Sequence, residues 1–197
     1  MIRHIVLHTP HGSLHGQLDR PENPNGLILI ARSHRVPEDD ATIAGLAARG
    51  FALLAMDLLT AHELQFADAT QNVPRLTQRL LDVLDLIRND GDMQDLPLGV
   101  YANGDTTPAA IRCAAQRDVQ VKVLACHGGL IDRAGLQALE LLVAPFLMVV
   151  DDDDLPASAA YQRAASHLGC LHQLETLAAG DHPLSEVTDW FARYLRA

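Results

Sequence analysis

The sequence predicts one α/β domain: a mostly parallel, twisted sheet sandwiched between helices and opened by an antiparallel hairpin. Three observations carry that expectation. Short aliphatic runs alternate with longer segments of helical period. The first two strand-like runs follow one another with no helix between them. Several later runs are apolar without a break, as in strands buried on both faces.

Taken in order, the first strand is expected over residues 2–8, with a turn at Pro10-His11-Gly12. A second runs from Leu14 to Asp19 and stops before Pro21, which makes the pair an edge hairpin. Gly26 to Ala31 reads as a buried strand, 39–49 as a helix closed by Gly50, and Phe51 to Met56 as the next strand. Apolar residues at 76, 80, 83, 84 and 87 give the segment 73–89 a helical stripe. Leu98 to Ala102 is a strand, and Thr107 is placed to cap a helix that begins at Pro108. Further strands are expected at 121–126, 146–150 and 171–177, with helices near 134–142, 157–168 and 184–196. Neither an internal repeat nor a linker divides the chain, so residues 1–197 are expected to form a single domain, too short to hold a separate lid.

Composition narrows the function classes. Apolar residues make up 48% of the 197, enough to line both faces of a sheet. The formal net charge of −10 opposes a phosphate backbone and argues against nucleic-acid binding. No apolar run approaches the ~18 residues that a membrane helix needs, and the N-terminal segment lacks a signal-peptide core. Cys113, Cys126 and Cys170 are odd in number and without metal spacing, which fits reduced thiols in a cytoplasmic protein. No metal or other cofactor is expected. The partners expected are a small-molecule ligand and a second copy in a homodimer.

Specific stretches resemble the α/β-hydrolase superfamily, in particular its small dienelactone-hydrolase-like members. Gly26-Leu27-Ile28-Leu29-Ile30-Ala31 is similar to the strand that leads to their oxyanion loop. Gly50 to Asp57 followed by Leu58-Leu59-Thr60 is similar to their next strand and its ending. Leu96 to Tyr101 is similar to the strand that enters the nucleophile elbow, and Ala179-Gly180-Asp181-His182 to the loop presenting the histidine. The resemblance spans nearly the whole chain and implies a Ser- or Cys-centred triad on a three-layer sandwich.

The defining motif departs from that pattern. The elbow needs a nucleophile on a sharp turn flanked by small residues, and the turn here is Ala102-Asn103-Gly104-Asp105-Thr106. Counting from Gly99 places Gly104 at the nucleophile position, where there is no side chain to attack a carbonyl. A shift of one residue would put Asp105 there, a nucleophile type used in related dehalogenases, but with the larger Asn103 crowding the turn. With Gly104 at the tip, the Asp105 N–H becomes an oxyanion donor beside its own carboxylate, which opposes ester hydrolysis.

The resemblance implies His182 as the general base and an acid after the 146–150 strand. Four aspartates stand there, Asp151 to Asp154; spacing favours Asp154, with Asp153 next. Asp151 replaces the glycine that usually starts this loop. The run of carboxylates lacks the alternating spacing of a calcium loop, so a solvated acidic loop is expected. After Ala31 the family's glycine-rich oxyanion stretch is replaced by Arg32-Ser33-His34-Arg35-Val36-Pro37. Arg32, His34 and Arg35 are expected to pair with Asp105 or the 151–154 run; alternatively they make a basic lip for an anionic ligand in the crevice at the strand ends, where Arg32, Ser33, His34 and Asn103 are the ligand-binding candidates. His4, His8, His11 and His15 fit edge-strand surface positions. Cys126 and His127 are neighbours on a strand and so face opposite ways, which argues against a Cys–His dyad.

Three functions follow. The first is a hydrolase-fold protein that has lost its chemistry and serves in binding. The second is an active hydrolase working through Asp105, or through a water activated by His182 and Asp154. The third is an assembly subunit. Two independent catalytic parts are altered while the core strands stay well patterned, which favours the first.

Overall fold

The computed structural model of the chain describes residues 1–34, 39–178 and 180–195, with the backbone alone at Asp39. Arg35, Val36, Pro37 and Ala179, discussed above, lie outside the described residues.

Eight strands form one sheet, in the order β1-β2-β4-β3-β5-β6-β7-β8. β1 (Ile2–Thr9) and β2 (Gly12–Asp19) make the expected hairpin, with Val6 opposite His15 and Leu7 opposite Leu14. β2 continues antiparallel onto β4 (Ala52–Asp57). β3 (Leu27–Arg32), β5 (Leu98–Asn103), β6 (Val121–His127), β7 (Phe146–Asp151) and β8 (His172–Leu177) complete a parallel array with β4. Every residue of β3 is buried, which is why its sequence shows no alternation.

Helices cover both faces. α2 (Val73–Arg88), α3 (Thr107–Gln116), α4 (Leu136–Leu141) and α5 (Leu155–Ala164) lie over the larger core, which contains Leu29, Leu54, Val100, Cys126 and Met148. α1 (Asp39–Ala48) and α6 (Leu184–Tyr194) cover the other face, where Ile28, Leu53, Tyr101, Val123 and Val149 meet Leu46, Val187, Trp190 and Phe191. Residues two apart on a strand share a face, so each parallel strand contributes alternately to one core and the other.

Two helix starts differ from the expected ones. α3 starts at Thr107, with Thr106 as its N-cap, one residue earlier than expected. α5 starts at Leu155, because the Asp154 carboxylate accepts a hydrogen bond from the Ala157 N–H at 3.0 Å. Short 3-10 turns at Glu63–Gln65 and Ala69–Gln71 were not foreseen between β4 and α2. No helix among the described residues is long and apolar enough to cross a membrane.

Candidate functional site

The carboxyl ends of the parallel strands open on one side of the molecule, where sheets of this kind bind ligands. On the α1/α6 face five of the strands end on a polar residue, whereas β8 ends on Leu177. Asp57, Arg32, Asn103, His127 and Asp151 follow the buried residues of β4, β3, β5, β6 and β7 in the same alternation. Arg32 stands opposite Asp57 in register, and Asn103 opposite His127. A polar row therefore crosses five strands directly above the smaller core.

Within that row the pairings are specific. Arg32 is 7% exposed and donates its Nε–H to Asp57 Oδ1 at 2.6 Å. This corrects the expected partner: Arg32 is held by the neighbouring strand, not by Asp105 or the 151–154 run. His127 Nε2 lies 2.9 Å from Asp151 Oδ1, with both side chains partly exposed. Against a carboxylate, that nitrogen carries the proton. Ser33 Oγ and His34 Nδ1 are 3.1 Å apart at the exposed end of β3.

The strand-to-helix turn is built around Gly104. It directly follows β5 with φ +50°, the left-handed conformation, whereas no described non-glycine residue has positive φ. Asp105, in the shifted register, occupies the first turn beyond and is exposed. A Cβ placed on Gly104 would meet nothing within 4 Å, so the space above the turn is open. Behind the turn packing is tight: a Cβ on Gly129 would lie 2.1 Å from the Gly104 carbonyl oxygen. Gly129 is thus the residue that allows the loop after β6 to approach the elbow.

Other nucleophile types nearby are committed. Thr106 donates to the Ala31 and Asn103 carbonyls at 2.9 and 2.8 Å, and Thr107 donates to the Gly128 carbonyl at 3.0 Å. Cys126 faces the larger core, and burial pushes its thiol up to about 12; Cys113 is pushed to the same value by the same cause. Neither thiol is a nucleophile near neutral pH.

His182 stands exposed in the loop between β8 and α6, and Asp154 is spent on the α5 cap. Asp152 and Asp153 are exposed in the turn after β7. Among the described residues no group of three or more His, Cys, Asp or Glu is arranged to hold a metal ion.

Sequence reasoning missed two pairs. One is His127–Asp151: Cys126 and His127 do face opposite ways, and that His127 then shares a face with Asp151 follows only from the strand order. The other lies below the loop after β4. Glu63, 7% exposed, receives Arg79 Nη1 and Nη2 at 2.7 Å each, the Thr60 N–H at 2.9 Å and Arg75 Nη1 at 3.1 Å. The hydrogen bonds from Arg79 hold the Glu63 carboxyl down at about 2, against an ordinary 4.5.

With this geometry in view, the fold is that of the α/β-hydrolases. The chain superimposes on dienelactone hydrolase from Anabaena variabilis with a TM-score of 0.90 and 26% identity, covering 100% of this chain and 99% of that one. Est1E from Butyrivibrio proteoclasticus follows at TM-score 0.75 and 14% identity, covering 94% of each chain. A cold-adapted esterase from an Arctic intertidal metagenomic library gives 0.76 and 16%, covering 99% of this chain and 94% of the esterase. The chain thus has the α/β-hydrolase fold and resembles dienelactone hydrolase over its whole length. No family model matches its sequence. Two curated proteins of Mycobacterium tuberculosis, from strains CDC 1551 / Oshkosh and ATCC 25618 / H37Rv, are 30% identical over 194 residues and are provisionally named phosphoribosyl transferases. The match takes in 91% of this chain but 44% of those proteins, so the chain spans less than half their length.

Proposed function

We propose that this domain uses the hydrolase fold to bind a small polar ligand at the strand ends, without covalent Ser- or Cys-type catalysis. The observation that carries this reading is Gly104, which holds the left-handed turn residue directly after β5 and has no side chain. Three further features support it. The hydroxyls beside the turn are bound to backbone carbonyls, the Asp154 carboxylate caps a helix, and Arg32 is tied to Asp57. What remains open to a ligand is the space above Gly104, bordered by Asn103, His127 and Asp151.

The test is hydrolysis of p-nitrophenyl acetate and butyrate by wild type and Gly104→Ser. Wild type is expected to show no turnover above buffer. The serine has room at this position, so measurable turnover by the variant would mark a scaffold short only of its nucleophile. Silence from both would place further loss on the oxyanion side. Wild-type turnover abolished by Asp105→Asn or His182→Ala would overturn the reading in favour of a hydrolase acting through Asp105 or an activated water.

We also infer that this chain does not share the transferase activity in the mycobacterial proteins' name. Four successive carboxylates, Asp151 to Asp154, border the strand ends here, a poor setting for a phosphoribosyl group.

A further inference from the structure

The last strand carries a surface that the strand-end site does not use. β8 closes the sheet and pairs with β7 alone. The Phe146 N–H donates to the Leu171 carbonyl, and the Asp152 N–H to the Leu177 carbonyl. A strand residue turns its N–H and C=O to the same side, and successive residues alternate. Residues 171, 173, 175 and 177 therefore bond to β7, and the backbone groups of His172, Leu174 and Thr176 are directed outward.

A free edge of this kind is a template for another strand, and proteins usually blunt it with Lys, Pro or a bulge. β8 has none of these. Its sequence is His-Gln-Leu-Glu-Thr-Leu, and its register against β7 runs without a shift. Leu174, among the outward residues, is 37% exposed, and Leu171, just before the strand, 57%.

We propose that β8 pairs antiparallel with β8 of a second copy of this chain, about a two-fold axis at Leu174, joining two sheets into one. The occupant follows from the strand's own symmetry. With the axis at Leu174, His172 faces the partner's Thr176 and Leu174 faces the partner's Leu174, so each outward N–H and C=O meets its counterpart. Gln173 then faces the partner's Glu175. Within one copy the Gln173 amide already donates to one Glu175 oxygen. Its second N–H and the second carboxylate oxygen are left to make the same bond across the axis. Leu171 meets the partner's Leu177, apolar on apolar. Moving the axis to Gln173 or to Glu175 leaves Thr176 or His172 without a strand partner. The second of these shifts also sets two Glu175 carboxylates face to face, which is unfavourable. The pairing is independent of any chemistry at Gly104.

Sedimentation equilibrium of the intact chain tests this. Wild type is expected to be dimeric at about 100 µM, and Leu174→Lys to weaken association about a hundredfold, because two ammonium groups then meet at the axis. Leu174 is partly exposed, and circular dichroism checks that the variant keeps its fold. Register is read by oxidative cross-linking in a Cys170→Ser background, which also decides the matter should Leu174→Lys not fold. Leu174→Cys is expected to give a disulfide between copies, since facing Cα atoms in such a pair lie about 5.5 Å apart. Thr176→Cys is expected to stay a thiol, because position 176 faces the partner's His172 and not itself. The proposal fails if wild type is monomeric at that concentration, if the dimer survives Leu174→Lys, or if the two cysteine variants cross-link equally. It also fails if Val6→Lys, on the opposite edge strand β1, dissociates the dimer instead.

Discussion

The loop after β4 and the loops after β7 and β8 lie at the same end of the parallel strands, but their polar groups are anchored in different ways. On the β4 side Glu63 is buried and bonded to Arg79, Arg75 and Thr60, while Arg79 also donates to the Leu58 carbonyl. Asp57 holds Arg32 in the adjoining strand. On the β7–β8 side Asp152, Asp153 and His182 are exposed, and Asp154 serves a helix end. Glu63 and Asp57 are thus held in closed ion-pair networks, whereas Asp153 and His182 stand exposed and Asp154 caps a helix.

The largest expected effect tests the closed side. Arg79→Met should destabilise the domain by about 3–5 kcal/mol in urea unfolding, because it leaves a buried carboxylate short of its bidentate partner. The same pair shapes the acid response. Glu63 titrates at about 2 in the folded chain against an ordinary 4.5, so its contribution is whole above 4.5 and is lost as pH falls through about 2. Unfolding free energies of wild type and Arg79→Met should therefore converge between those pH values. A gap that stayed constant down to pH 2 would remove Glu63 from the network.

Much of this contrast was legible in the sequence, and the rest was not for a definite reason. Unbroken apolar runs located the parallel strands within a residue or two, and the Ala102–Thr106 stretch showed the elbow without Ser or Cys at its centre. Glu63 and Arg79 are 16 residues apart, across a loop whose two 3-10 turns have no strong periodic signal, so nothing local announced their pair. The partner of Arg32 was missed because Asp57 meets it only through the β3–β4 register. His127 and Asp151 likewise become neighbours only once β6 and β7 are known to lie side by side. Local pattern reveals which residues sit on a strand, and strand order decides which side chains meet.

A second prediction compares two glycines of the elbow. Gly129→Ala puts a Cβ against the Gly104 carbonyl at a φ of +89°, and should cost about 2–4 kcal/mol. Gly104→Ala meets open space at φ +50° and should cost only the left-handed backbone penalty, about 1–2 kcal/mol. Chemical denaturation of the two variants side by side checks this. Equal losses would mean that the loop after β6 does not brace the turn.

The smallest effects belong to the open side and sharpen the comparison most. Asp154→Ala removes the cap on α5 and should cost about 1 kcal/mol, read as a shift in the urea midpoint. Asp154→Asn, which keeps an acceptor for the Ala157 N–H, should recover most of that loss. His182→Ala, at an exposed position, should stay within about 0.5 kcal/mol of wild type. If Asp154 served chiefly to orient His182, the asparagine would not rescue and the two losses would fail to add, since residues that share an interaction couple. Additive losses, with rescue by asparagine, would fix Asp154 as a helix cap and leave His182 without an acid behind it.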